Sequence, residues 1–126
     1  MKENFGTKEK LKSKKEIELL FSEGKSIARY PIRLIYRKAL SQGEVNVLAA
    51  VSVSKRNFKK AVDRNRIKRL LRESYRKNKY IVHNNTTHQF TFMFLYTGKE
   101  MPDHILIESK IKEILQKFIT REIKPT

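Results

Sequence analysis

Apolar positions in this chain follow helical spacing in three stretches and alternate with polar ones in two. Ser13-Lys14-Lys15-Glu16 has the spacing of a capping box, an N-cap serine with a glutamate three residues on. Ile17, Leu20 and Phe21 follow at i, i+3, i+4 and Gly24 supplies a stop, so a short amphipathic helix is expected. Ser26 to Arg29 reads as a brief strand ended by Tyr30-Pro31. Ile32, Leu34 and Tyr36 then alternate with Arg33, Ile35 and Arg37, the period of a strand. Ser41-Gln42-Gly43-Glu44 reads as a turn, after which Val45, Val47, Ala49, Val51 and Val53 alternate again. These two long strands are expected to pair as a hairpin.

From about Asn57 to Asn78 the period becomes helical. At 100° per residue, Ile67, Leu70, Leu71, Ser74 and Tyr75 share one face, while Asn65, Lys68, Arg69, Arg72 and Arg76 share the other. Arg64 and Arg66 fall towards the borders. His83 to His88 reads as a polar loop and Phe90 to Tyr96, rich in aromatics, as a buried strand. Pro102-Asp103 opens a last helix with Ile107, Ile111, Ile114, Leu115 and Phe118 as its core stripe. At 126 residues the whole is expected to be a single domain, residues 1–126, with about 1–10 and 122–126 flexible.

Charge changes the picture from a small fold to a docking protein. Lysine and arginine number 29 against 13 acids, a formal +16. Between Lys55 and Lys79, twelve basic residues less Asp63 and Glu73 leave +10 of that excess in a fifth of the length. A charged helix face is ordinarily just solvated, but solvated faces mix signs. Like charges at i, i+4, such as Lys68 and Arg72, cost a few tenths of a kcal/mol each unless a polyanion neutralises them. Arginine grips phosphate bidentately, and Asn65 within the patch offers a donor and an acceptor to a 2′-hydroxyl or base edge. A membrane-surface helix would need its apolar face free for lipid, whereas here that face is needed for the core.

Other chemistry is thinly represented. The absence of cysteine leaves no disulfide, thiolate or cysteine zinc site. Met1 to Lys15 lacks the apolar run of a signal peptide, and Phe92 to Tyr96 is too short to span a bilayer, so a cytoplasmic protein is the expectation. His83, His88 and His104 lack metal-ligand spacing and read as exposed bystanders. No catalytic triad or carboxylate pair is legible, and no catalytic residue is assigned.

The run Ala61-Val62-Asp63-Arg64-Asn65-Arg66-Ile67-Lys68-Arg69-Leu70-Leu71-Arg72-Glu73 closely resembles the arginine-asparagine-arginine signature of the bacterial ribonuclease P protein family. Val51-Ser52-Val53-Ser54-Lys55-Arg56 and Phe21-Ser22-Glu23-Gly24 resemble the same family, and the likeness runs from about Leu11 to Phe118. The resemblance implies an α+β two-layer sandwich of ribosomal-protein type, ordered α-β-β-β-α-β-α with a left-handed βαβ crossover. It implies a subunit of a ribonucleoprotein endoribonuclease that removes the 5′ leader from precursor tRNA, with Mg2+ and catalysis residing in the RNA subunit. The protein, monomeric in the particle, would bind that RNA through Arg64, Asn65, Arg66, Lys68, Arg69 and Arg72. The single-stranded leader would lie in a cleft formed by Ile17, Phe21, Arg33 and Ile35, with Lys55 and Arg56 at its rim. Some relatives carry aromatics where Ile17 and Ile35 stand, which directs stacking towards Tyr36 or Tyr30, and a basic residue common after the last strand is replaced by Thr97-Gly98. The alternatives are a structural, ribosomal-type RNA-binding protein and, further off, a DNA reader with its basic helix in the major groove.

Overall fold

The computed structural model describes residues 10–40, 47–83 and 88–123. The expected turn Ser41–Glu44, Val45 and the centre of the expected polar loop, Asn84–Thr87, lie outside them, as do residues 1–9 and 124–126. The elements are α1 (Lys14–Glu23), β1 (Lys25–Arg29), β2 (Ile32–Lys38), β3 (Val47–Val53), α2 (Ala61–Asn78), α3 (Tyr80–His83), β4 (Phe90–Tyr96) and α4 (His104–Phe118). A π-helical turn, Ile119–Ile123, follows α4.

Local signals act much as the spacing predicts. The Ser13 hydroxyl accepts from the amide of Glu16 at 3.2 Å and caps α1. The Glu16 carboxylate does not complete the box. It is buried instead, accepting from the Leu40 amide at 2.8 Å, with the Arg37 guanidinium 3.6 Å away. Gly24 ends α1, and a Cβ there would stand 2.4 Å from the Leu20 carbonyl oxygen and 2.6 Å from Cγ2 of Ile35. Only glycine lets the chain leave the helix so close to β2. Asp103 caps α4, accepting from Leu106 at 2.8 Å, and the whole expected stripe of α4 is buried. The second helix starts at Ala61 rather than near Asn57. Phe58 is drawn into the core and Asn57 donates to the Gly98 carbonyl at 3.2 Å, which holds the preceding residues out of the helix.

The sheet corrects one expectation. Its order is β1-β2-β4-β3, so β2 and β3 do not form a hairpin. β2 pairs antiparallel with β1 through the Tyr30-Pro31 corner, whose peptide bond is cis, and β4 inserts between β2 and β3. β3 and β4 run parallel, joined through α2 and α3. The reason is burial. Six of the seven residues of β4 are buried, on both faces of the sheet, whereas β2 and β3 alternate. A strand apolar on both sides needs a neighbour at each edge and a layer over each face.

Those two layers are unequal. On one face Leu34, Tyr36, Phe92 and Phe94 pack beneath α2 and α4 with Ile67, Leu71, Ile111 and Phe118 in the main core. The rings of Tyr36, Phe90 and Phe92 all meet Phe118 edge-on, 4.9–5.0 Å between centroids. On the other face a smaller cluster of Leu11, Leu20 and Met93 sits under α1, bordered by half-buried Ile17, Ile35 and Leu95. Lys10 bridges to Ala49, and Leu11 donates to the Ala49 carbonyl at 2.9 Å. At the other end Glu122 accepts from the Tyr36 hydroxyl at 2.6 Å and from Lys25 at 3.3 Å, tying the last turn to the sheet. Among the described residues no helix is long and apolar enough to cross a membrane.

Candidate nucleic-acid interface

α2 has the two characters its period predicts. Ile67, Leu71, Ser74, Tyr75 and Asn78 are buried against the sheet and α4. Asn65, Arg66, Arg69 and Arg72 are exposed and Lys68 is half-buried; none of the four cations forms an ion pair among the described residues. Arg76, on the same side, differs: its Nε donates to Glu73 at 3.1 Å, and that contact holds the Glu73 carboxyl below its ordinary value. The unpaired face is therefore Asn65 to Arg72. Asn65, Arg69 and Arg72 follow one another at four and three residues, about 6 and about 4.5 Å of helical rise, and present a short stripe of the kind that tracks a phosphate backbone.

Arg64 is set apart from its neighbours. It is half-buried, and its Nη1 donates to the carbonyls of Phe58 at 2.8 Å and Lys59 at 2.9 Å. The guanidinium thus closes the segment between β3 and α2, which no side-chain cap at Lys60 secures. Its first task is to fix the loop that carries Lys55, Arg56, Lys59 and Lys60.

The second region lies on the α1 face of the sheet. The register sets Ile35, Met93 and Ala50 in one cross-strand row and Arg33, Leu95 and Ser52 in the next. α1 covers the first row; in the second Arg33 is exposed and Leu95 and Ser52 are half-buried. Ile17 and Ile35 border the small cluster, so both serve the core and show part of their surface. Phe21 is 57% exposed, which rules out a core role for it. A groove of about 700 Å³ begins at Ser52 and Leu95 and runs past Lys55, Arg56 and Asn57 to Thr97 and Lys99. It joins the open row of the sheet to the rim cations.

Two expectations fail in this region. Tyr36 is 1% exposed and lies on the opposite face, hydrogen-bonded to Glu122, so it offers no stacking surface. His83 is half-buried, ends α3 and shares a 3.1 Å hydrogen bond with Tyr75, so it is no bystander, while His88 and His104 are exposed. One residue was missed. Lys99 lies just beyond Thr97-Gly98, where a basic residue seemed absent, and lines the groove. Its signal in the sequence is a lysine two residues downstream of Thr97. No group of three or more His, Asp or Glu residues able to hold a metal ion occurs among the described residues.

The sequence and fold are similar to those of known proteins. The family model described as ribonuclease P matches residues 5–119. A ribonuclease P protein component of Porphyromonas gingivalis is 36% identical over 110 residues, covering 85% of this chain and 80% of the relative. That of Caldanaerobacter subterraneus is 36% identical over 110 residues, covering 86% and 87%. The solved ribonuclease P protein of Thermotoga maritima superposes with a TM-score of 0.70 at 25% identity, covering 86% of this chain and 96% of that one. The Staphylococcus aureus protein superposes equally well, TM-score 0.70, at 18% identity, which speaks to the fold alone. A matching family model over nearly the whole chain, two curated relatives above a third identical and the shared α+β fold place this chain in the ribonuclease P protein family, as a component of that RNA-processing endonuclease.

Proposed function

We propose that this chain is the protein subunit of a ribonuclease P ribonucleoprotein that removes the 5′ leader from precursor tRNA. The catalytic RNA carries the chemistry with its Mg2+ ions, and the protein, one copy per particle in the cytoplasm, holds RNA on two surfaces. Asn65, Arg66, Lys68, Arg69 and Arg72 grip the catalytic RNA, with Arg64 supporting them from the edge of the stripe. The leader runs over Phe21, Ile17, Ile35 and Arg33 towards Lys55 and Arg56. The observation that carries this reading is the division of α2 into a fully packed side and a side of unpaired cations. Among the described residues no acid pairs with that stripe, which is the charge pattern a polyanion neutralises. The half-covered sheet face adds an apolar floor with a cationic edge, which suits single-stranded RNA and asks little of its sequence.

The test is cleavage of a 5′-extended precursor tRNA by the cognate catalytic RNA at low magnesium, with and without the protein. Restoration of accurate 5′ maturation supports the subunit reading. Binding to the RNA with no change in cleavage would replace it with a structural, ribosomal-type role.

A further inference from the structure

A second groove, of about 500 Å³, continues from the first at the carboxyl end of β4. The two share Tyr96 and Lys99. Beyond Lys99 the lining is largely apolar: Tyr30, 70% exposed at the β1–β2 corner, shares it with Pro31, Met101, Pro102 and Leu106. Gly98 lines this groove where space is tight: a Cβ there would stand 2.6 Å from the Tyr96 hydroxyl and 3.0 Å from Cβ of Pro31. Tyr96 itself is fixed, donating to the Glu100 carbonyl at 2.6 Å. An exposed tyrosine over an apolar pocket, reached along a line of cations, is the arrangement that receives a base while a lysine holds its phosphate.

We propose that this second groove is a nucleotide subsite, in which an unpaired base of the same RNA strand stacks on Tyr30 while Lys99 contacts the adjoining phosphate. The proposal rests on the leader-binding reading and extends its path from the sheet face, past Lys55 and Arg56, to the β1–β2 corner. Glu100 lies in the lining and repels phosphate. Its carboxylate accepts hydrogen bonds, so it favours the base, through an exocyclic amino group, inside the groove and the backbone outside on Lys99.

The experiment measures binding of the reconstituted ribonucleoprotein to precursor tRNAs whose leaders lengthen from one to about ten nucleotides, then scans the long leader with single abasic positions. The wild-type particle should gain roughly tenfold in affinity when the leader first reaches the second groove, within the range for one stacked base. One abasic position should abolish that gain. Tyr30→Ala should lose the same tenfold and become indifferent to that abasic position, Tyr30→Phe should retain it, and Lys99→Ala, at the junction of the two grooves, should weaken every leader long enough to reach the junction. An abasic profile that is the same in wild type and Tyr30→Ala would overturn the subsite while leaving leader binding intact. A wild-type particle blind to leader length altogether would overturn both, and the two failures are told apart by the wild-type curve alone.

Discussion

Arg64→Ala and Arg66→Ala should affect different properties, although the two residues flank one asparagine. Arg64 donates from one nitrogen to the Phe58 and Lys59 carbonyls at 2.8 and 2.9 Å, and it is half-buried. Hydrogen bonds from a charged donor contribute about 1.5–3 kcal/mol each when well buried. Sharing one nitrogen and partial exposure to water reduce the pair to roughly 1–2 kcal/mol in total. Arg66 is exposed with no ion pair among the described residues, so its removal should leave folding within about 0.5 kcal/mol of wild type. Urea unfolding of the isolated protein reads the first effect, and binding to the catalytic RNA at fixed salt reads the second. Arg66→Ala should weaken binding by about 1–3 kcal/mol with an unchanged unfolding midpoint. Arg64→Ala should lower the midpoint, because it leaves the Phe58 and Lys59 carbonyls without the one nitrogen that binds both. Equal unfolding midpoints in the two alanine variants would refute the assignment of Arg64 to the loop. Unchanged RNA affinity in both would remove the α2 stripe from the interface.

Three further outcomes are expected. Binding to the catalytic RNA should fall with salt at a log–log slope of about −4 to −6, corresponding to roughly six to eight neutralised phosphates, and a flat titration would contradict an electrostatic interface. Tyr36→Phe should cost about 1–2 kcal/mol in denaturant unfolding, since the hydroxyl donates to the Glu122 carboxylate at 2.6 Å. Burial, with that hydrogen bond, pushes the Tyr36 hydroxyl up to about 12. The folded state thus keeps a proton the unfolded chain releases near 10, and the stability from this group, complete below 10, is lost as pH rises towards 12. The Tyr36→Phe variant should lack that share of the alkaline loss. The Tyr36 bond and Lys25 hold Glu122 below its ordinary value, so its contribution is present above the usual carboxylate range and disappears as pH falls through the lowered value. Gly24→Ala should destabilise by about 1–3 kcal/mol and weaken leader binding, because a methyl group would push α1 off Ile35.

What could be read from the sequence was what repeats locally. The two-faced character of α2, the α4 stripe from Ile107 to Phe118 and the Ser13 and Asp103 caps all depend on residues within a few positions of one another, and all appear in the fold. The alternation of β2 even held the answer for Tyr36, which shares its parity with Ile32 and Leu34 and so belongs to the main core. Strand partners were not legible. Val47–Val53 alternates as a hairpin strand would, and only the two-sided burial of Phe90–Tyr96, some forty residues later, decides that it pairs elsewhere. The α2 cations were readable as a group but not individually: charge pattern treats Arg64 and Arg66 alike, and only the position of the Phe58 and Lys59 carbonyls separates them. The rim was partly legible through Lys55 and Arg56, while Lys99 joins them only because β3 and β4 end side by side.

The central place of β4 has a consequence for synthesis. When residues up to Asn78 have left the ribosome, the whole sequence of the basic helix is out, yet the strand that bonds β2 to β3 has not been made. Phe92 and Phe94, against which Tyr75 of α2 packs, come later, and α4 later still. Such non-local pairing is slow to form and cannot begin early. The nascent chain is thus a polycation with no fixed shape until residues 90–118 emerge, and it reaches RNA-rich surroundings before it can choose among RNAs. Stalled chains ending before Phe90 should be digested rapidly by protease and bind any RNA, and chains extending through Phe118 should resist digestion. Protection of the shorter chains would show that the first three strands and α2 fold without β4.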